Sequence, residues 1–211
     1  MCWNAKTSII SFISGTIINI GVLIYYLKHK EIVSLCVVWQ WVLCMQLAEY
    51  FIWLNQKSST NIFATKSALI LNILQPLILY MVIICGLGEN ISIQVKILSS
   101  IIITYYISYM MIKLNEVSEY KNLTTNNCAH LSLKWWYDIP NSGYIYFIVL
   151  SFLILLLIQP LSLSVFCVVF ITISVLISMK YYSCGAASMW CWFVVPFPLF
   201  LGLFYKIYYR K

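Results

Sequence analysis

Charged residues are scarce in this chain of 211 residues. Asp, Glu, Lys and Arg make up 9% of it, hydrophobic residues make up 63%, and the mean hydropathy is +0.90. Soluble domains carry about 25% charged and roughly 45–50% apolar residues. So few charges cannot coat a water-facing surface, which excludes a soluble globular domain and predicts a lipid-facing chain. The length suits a single polytopic membrane domain over residues 1–211.

Basic motifs are also lacking, although the formal net charge is +7. Arg210 is the only arginine, and the lysines are scattered among predicted loops. With no basic stripe and no aromatic-basic platform, the charge does not indicate a nucleic-acid partner. The predicted partner is the lipid bilayer. The bias toward Lys, Ile, Asn and Tyr is typical of an AT-rich genome, and giant viruses are among the candidate sources.

Motifs for metal binding and nucleophilic catalysis are absent as well. The two histidines, His29 and His130, and the eight cysteines show no C-x-x-C or H-x-x-x-H spacing. Cys128 and His130, two positions apart, are an uncommon ligand pair, so neither a metal nor a cofactor is expected. A Cys128–Cys184 disulfide is the alternative if that side of the membrane is oxidising. The remaining cysteines of the predicted spans are expected to be small apolar filler: Cys36, Cys44, Cys85 and Cys167.

The number of histidines and the positions of the lysines disfavour two known classes of seven-span protein. Two histidines are too few for the three-histidine zinc set of ceramidase-like hydrolases. No lysine lies in the middle of the last hydrophobic window, where a retinal protein would need one. Nucleophile-elbow, phosphate-loop and haem-attachment motifs do not occur either.

The chain does contain a series of hydrophobic windows of about 20 residues, the length of helix that crosses a hydrocarbon core of about 30 Å. We predict an all-α membrane protein, a seven-helix transmembrane bundle. The predicted spans are Ser8–Leu27, Ile32–Leu54, Ile62–Leu87, Gln94–Leu114, Gly143–Gln159, Leu161–Met179 and Ala186–Tyr205. The fifth and sixth together are too long for one span, which favours a tight hairpin over one helix kinked at Pro160. The first is expected to be a retained span, because no small-residue cleavage site follows it.

The one long predicted loop is Asn115–Ser142, a polar stretch that becomes aromatic toward its end. Trp135, Trp136 and Tyr137 suit the membrane interface. His130 lies in the same loop. No internal repeat supports a duplicated transporter fold.

Basic residues give the predicted orientation. "KHK" at Lys28–Lys30 and "KIYYRK" at the end of the chain fall on one side of a seven-span bundle. The positive-inside rule makes that side cytoplasmic, with the N-terminus outside. Lysines on the other side nearly balance the count, and the two glycosylation sequons, at Asn122–Thr124 and Asn90–Ser92, fall on opposite sides.

Polar residues form a thin stripe on most predicted spans. Because one turn of helix holds 3.6 residues, residues three and four apart share one face. The stripes are Ser8, Ser11, Gly15 and Asn19; Trp39, Gln46, Glu49 and Trp53; Asn72 and Gln75, followed by Pro76; Ser100, Thr104 and Ser108; and Cys184, Ser188 and Cys191. Small and hydroxylated residues let helices approach closely and form hydrogen bonds, so packing accounts for most of the serines and threonines.

Packing does not account for Glu49, because a carboxylate at mid-membrane costs about 2.5–3.5 kcal/mol. The group can be protonated, or it can have a partner. Gln46 lies one turn earlier on the same helix face, and Lys66 lies near the same end of the third span. Glu49 is therefore either a structural pin, bonded to Gln46, Lys66 or backbone, or a working acid, proton carrier or cation site.

Four short blocks carry a resemblance. "MCWNAKTS" is similar to a Met-Cys-Phe-Ser-Ala-x-Ala-Ser opening, and "QLAEYFIWL" to a Gln-Gln-x-x-Glu-Gly-x-x-Trp-Leu segment. "AHLSLKWWYDIPNSGY" is similar to a His-containing loop before a fifth span, and "ASMWCWF" to a Ser-Val-Trp-Cys-Phe-Phe-Ala-Ala segment. All four resemble an uncharacterised family of bacterial and viral multispan membrane proteins.

The resemblance implies a seven-span fold and a set of marked positions, and it implies no reaction. Those positions are Cys2, Ser8, Gln46, Glu49, Trp53, His130, Ser188, Trp190 and Cys191. Trp3 and Asn4 depart from the family's Phe and Ser. Tyr50 replaces a glycine, which fills space next to Glu49 and puts the shape of a shared pocket in doubt.

Alternating topology brings all the marked blocks to the membrane face of the N-terminus, so we expect Glu49 in the wall of a shallow cavity that opens there. The first hypothesis is a protein that binds or moves a small solute or ion, with Glu49 as acid or counter-ion. The second is an enzyme acting on lipid, with Glu49 and His130 as acid–base pair and Cys191 as nucleophile. The third is a structural protein of a cellular or virion membrane.

Overall fold

The computed structural model describes residues 4–54, 59–87, 91–117, 124–125, 132–133, 142–182, 190, 192–193 and 195–209. Its helices are α1 (Ala5–Tyr25), α2 (Lys30–Leu54), α3 (Ser59–Ile73), α4 (Gln75–Val82), α5 (Ile93–Val117), α6 (Ser142–Leu157), α7 (Leu161–Tyr182) and α8 (Phe197–Tyr209). A π-helical turn, Ile83–Leu87, follows α4. Within the long loop, β1 (Thr124–Thr125) pairs antiparallel with β2 (Ser132–Leu133). The predicted helical class is confirmed.

Four helices are long and apolar enough to cross a membrane: α1, α2, α5 over Ile93–Lys113, and α7 over Leu161–Tyr181. The bent pair Phe63–Ile73 and Gln75–Cys85 would be a fifth crossing. α6 is apolar but shorter than these, and the start of the predicted last span lies outside the described residues. The outward faces are apolar too, as at Ile17 and Ile24 on α1. These helices are compatible with a membrane protein.

α2 is the central helix of the bundle. It packs against α1, α3, α4, the π-helical turn and α8. In its most apolar window, 61% of the residues are buried, against 22% for α1. The polar side chains on the buried face of α2, Gln46 and Glu49 among them, therefore lie inside the bundle, out of contact with lipid.

The predicted polar stripe of α1 is its buried face, formed by Ser8, Ser11, Gly15 and Asn19. Asn19 donates through Nδ2 to the backbone oxygen of Cys36 at 2.9 Å and to Gln40 Oε1 at 3.1 Å. Gln40 donates in turn to Thr16 Oγ1 at 3.1 Å. These bonds fix the antiparallel register of α1 and α2 without exposing polar atoms to lipid.

α8 runs parallel to α1. Val195 lies beside Gly15, and Gly202 lies beside Val22. Tyr26 donates its hydroxyl to the backbone oxygen of Gly202 at 2.8 Å. The turn after α1 and the end of α8 thus lie at one end of the bundle, as predicted for the two basic segments. The side of a membrane that this end faces stays a prediction.

The helical conformation is interrupted at residues 158–160, between α6 and α7. The two helices pack against each other, as expected for a hairpin. Aromatic rings join α7 to α8: Phe166 stacks on Phe204 with centroids 4.3 Å apart. Phe197 at the start of α8 stacks on Trp39 of α2 at 3.9 Å. Through these ring contacts α8 packs against both α7 and the central helix α2.

The polar stripe predicted for the fourth span is wrong as a packing face. Thr104 and Ser108 are exposed, and Ser100 is half-buried. The buried positions of α5 include Ser99, Ile103, Tyr106 and Met110. Ser100 donates to the backbone oxygen of Lys96 at 2.7 Å and also bonds to the hydroxyl of Tyr80 on α4 at 2.7 Å. Of the predicted stripe, Ser100 therefore contacts a neighbouring helix, whereas Thr104 and Ser108 do not lie in the packing face.

Candidate functional site

Glu49 and Gln46 lie on the same face of α2, and both are fully buried, with 0% exposure. Gln46 donates through Nε2 to Glu49 Oε2 at 3.2 Å. This is the partner that the three-residue spacing predicts. The bond satisfies part of the hydrogen-bonding capacity of a carboxyl group, which has four lone pairs when ionised.

Lys66 does not pair with Glu49. Its side chain is exposed, and no ion pair joins the two in the part of the chain that the structure describes. Trp53, one turn beyond Glu49, is half-buried. Its indole N–H is buried and has no acceptor among the described residues.

Ser8 faces the same end of α2 from α1. Gly15 lies against Leu43, and the two helices are antiparallel. About two turns from that contact, Ser8 and Glu49 therefore reach the same level of the bundle. Ser8 is fully buried and donates to the backbone oxygen of Asn4 at 3.3 Å. The predicted neighbourhood of Ser8, Gln46 and Glu49 is consistent with this register.

Trp190 lies in the interior, 2% exposed. Its indole donates to Ser174 Oγ of α7 at 2.9 Å, and its ring meets that of Phe147 edge-on at 5.2 Å. The other predicted site residues lie outside the described residues: Cys2, His130, Ser188 and Cys191.

The third predicted span is broken. α3 and α4 meet at an angle of 47° next to Pro76, which has no N–H to offer the preceding turn. The carbonyl of Leu71 accepts from the indole N–H of Trp41 at 2.7 Å, and that of Ile73 from the hydroxyl of Tyr106 at 2.9 Å. Side chains of α2 and α5 thus satisfy carbonyl groups at the break.

Two buried amide side chains lie at this break. Asn72 is 2% exposed and Gln75 is 1% exposed. Gln75 Oε1 accepts from the hydroxyl of Tyr146 on α6. Asn72 Nδ2 and Gln75 Nε2 have no acceptor among the described residues. A buried donor without an acceptor costs about 1–3 kcal/mol, so both groups are suited to an acceptor atom brought by a bound molecule.

Gln75 and Trp190 both line a small cavity of about 20 Å³. Its other walls are apolar, with Trp39 and Phe197 among them. This volume is room for about one water molecule. The cavity brings one predicted site residue, Trp190, next to a residue that the sequence suggested only as part of a packing stripe, Gln75.

Sequence reasoning missed Trp41, Tyr106 and Tyr146 as partners of the broken span. The available signal was Pro76 inside a hydrophobic window, because a proline there releases a carbonyl that needs a new donor. Long-range aromatic donors cannot be assigned from spacing within one chain segment. In the described part of the chain, no three His, Cys, Asp or Glu side chains come together as metal ligands.

Comparisons with protein-family models, with curated proteins and with solved protein structures find no match to this chain.

Proposed function

We propose that this chain is a polytopic membrane protein that binds or moves a small solute or ion through polar groups inside the bundle. The observation that carries the proposal is the complete burial of Glu49 in the central helix, with Gln46 donating to it. Ionisable groups inside a membrane bundle are costly and are mostly found on substrate, ion or proton pathways. Glu49 is the acid or counter-ion of this pathway.

The broken span supports the same function. Discontinuous helices in transporters place unsatisfied backbone and side-chain groups at the depth where a substrate binds. Irregular backbone at membrane depth is tolerated where protein or a cavity surrounds it. Here Trp41 and Tyr106 cap the break, and Gln75 lines the adjoining cavity. The amide groups of Asn72 and Gln75 supply donors at a separate level of the bundle, because the cavity that Gln75 lines does not include Glu49.

The proposed topology has seven spans, with the N-terminus outside and the C-terminus in the cytoplasm. The parallel packing of α1 and α8 supports an odd number of crossings, because parallel first and last spans put the termini on opposite sides. The exposed Lys28, Lys30 and Lys206 lie at the end assigned to the cytoplasm.

The test is transport by the purified protein in sealed vesicles. Vesicles with the wild type, with Glu49→Gln or without protein are given gradients of protons, Na⁺, K⁺ and a labelled amino-acid mixture. We expect a flux in the wild type that is lost in Glu49→Gln. Glu31→Gln is the matched control, because Glu31 lies at the bundle end rather than in the core. It should keep the wild-type flux.

Two results contradict the proposal. If the fluxes with wild type and with Glu49→Gln are equal, and no higher than in protein-free vesicles, the protein does not transport these species and its role is structural. Breakdown of vesicle lipid that depends on Glu49 and His130 identifies an enzyme instead.

A further inference from the structure

A second polar cluster lies at the opposite end of α2 from Glu49, where α1 ends and α8 ends. Tyr205 of α8 bonds to His29 Nδ1 at 2.9 Å and donates its hydroxyl to Glu31 Oε1. His29 and Glu31 are 3.9 Å apart at their nearest atoms. The side chain of His29 is 40% exposed and that of Glu31 15% exposed.

These bonds orient the imidazole of His29. The hydroxyl of Tyr205 has one proton, and that proton goes to the Glu31 carboxylate, so the oxygen accepts from His29 Nδ1–H. The rings of Tyr26 and Tyr205 meet the imidazole edge-on, at 5.9 and 5.0 Å. His29 Nε2, on the far side of the ring, is therefore the atom left to bind a proton or a ligand.

Three lysines are sequence neighbours of this cluster. Lys28 and Lys30 flank His29 in sequence, and Lys206 follows Tyr205; all three are exposed. The neighbouring carboxylate, Glu31, is occupied by the Tyr205 hydroxyl. The other titratable groups in contact with the cluster are phenols, Tyr26 on His29 and Tyr209 on Tyr205. Among the described residues next to this cluster, the exposed charged side chains are these three lysines, and Glu31 is the partly buried acid.

The depth of the cluster identifies the anion that meets it. α1 and α2 are both long enough to cross a bilayer, so the turn that joins them lies at headgroup level. Exposed tyrosine rings at the same end, Tyr25 and Tyr208, are typical of the membrane interface. Phospholipid phosphate is the anion present at that depth.

We propose that this end of the bundle binds the phosphate of an anionic phospholipid through Lys28, Lys30, Lys206 and protonated His29. Each lysine near an anionic surface contributes about fivefold to binding. A phosphate oxygen at His29 Nε2 needs a proton on that nitrogen, so binding to neutral His29 takes up a proton. Glu31 and Tyr205 act as positioning residues that hold the ring.

The experiment measures lipid retained by the purified full chain, using native mass spectrometry. The chain is titrated with phosphatidylglycerol, with phosphatidylcholine as the zwitterionic arm of zero net charge and with inorganic phosphate as the soluble arm. We expect a preference for phosphatidylglycerol that falls about 25-fold in the double variant Lys30→Gln, Lys206→Gln. Lys180→Gln is the matched control, an exposed lysine at the far end of α7. It should keep the preference.

A second measurement tests whether the hydrogen bond to Tyr205 holds the imidazole of His29 in one tautomer. In the ¹⁵N spectrum of the imidazole, the wild type should show the Nδ1–H tautomer, and Tyr205→Phe should lose that preference while staying folded. His29→Gln should weaken retention of phosphatidylglycerol and leave retention of phosphatidylcholine unchanged. Equal retention of both lipids, an equal loss in Lys180→Gln, or competition by inorganic phosphate as strong as that by the lipid would overturn the proposal.

Discussion

Trp41 donates its indole N–H to the backbone oxygen of Leu71 at 2.7 Å, across the contact between the central helix and the broken span. On the other side of the break, the hydroxyl of Tyr106 bonds to the backbone oxygen of Ile73 at 2.9 Å. In lipid, carbonyls at a helix break cannot turn to water. The bend of α3 and α4 therefore depends on side chains from two other helices.

Removing either donor should destabilise the fold. Trp41→Phe and Tyr106→Phe each leave a carbonyl without its side-chain donor, which costs about 1–3 kcal/mol. The measurement is the melting temperature in detergent. Tyr105→Phe is the control, because Tyr105 is 71% exposed. A Tyr106→Phe variant as stable as Tyr105→Phe would show that the break needs no cap.

Gln75→Leu should weaken transport without unfolding the protein. The substitution removes the buried amide N–H, which has no acceptor among the described residues, and the oxygen that accepts from Tyr146. A lost hydrogen bond of about 1 kcal/mol to a bound solute weakens affinity roughly fivefold. The flux assay in vesicles, at low concentrations of the transported species, measures this change. Gln94→Leu, at an exposed position of α5, serves as control. If Gln75→Leu keeps the wild-type flux, the broken span is not part of the transport pathway.

Gly15 should not tolerate a larger side chain. A Cβ atom there would lie 2.6 Å from Leu43 Cδ2, so α1 and α2 already approach closely. Gly15→Ile should lower the free energy of unfolding by about 1–3 kcal/mol through overpacking. Gly21→Ile is the matched control, because nothing lies within 4 Å of a Cβ at Gly21. Equal melting temperatures for the two variants would contradict the close approach.

The sequence predicted most helices and the interior face of α1, because a strict spacing of small and polar residues leaves one choice of face. All four residues of that stripe are buried. The same reasoning was wrong for Thr104 and Ser108, which are exposed, because a single hydroxyl is too weakly polar to fix which face of a helix is buried. On α5, the long-range bond of Tyr106 identifies the buried face instead.

The candidate site was predictable only in part. Burial of Glu49 and its bond to Gln46 follow from a carboxyl group inside an apolar helix. The contact of Gln75 with Tyr146, and the cavity shared by Gln75 and Trp190, join helices far apart in sequence. Local periodicity holds no information on such pairings.

The two termini should lie on opposite sides of the membrane. The parallel course of α1 and α8 requires this if both cross the bilayer. Reporter fusions at each end measure it directly, with the N-terminal reporter outside and the C-terminal reporter inside. Both reporters in one compartment would contradict an odd number of spans.

The central claim is that Glu49 takes part in binding, and its carboxyl group can be observed directly. Infrared difference spectra of the protein in lipid, recorded as the transported ion or solute is added, report the protonation and bonding of carboxyl groups. We predict a carboxyl band that changes on addition in the wild type and is missing from Glu49→Gln. A Glu49 band that stays unchanged while transport proceeds would contradict the account and leave Glu49 as a structural partner of Gln46.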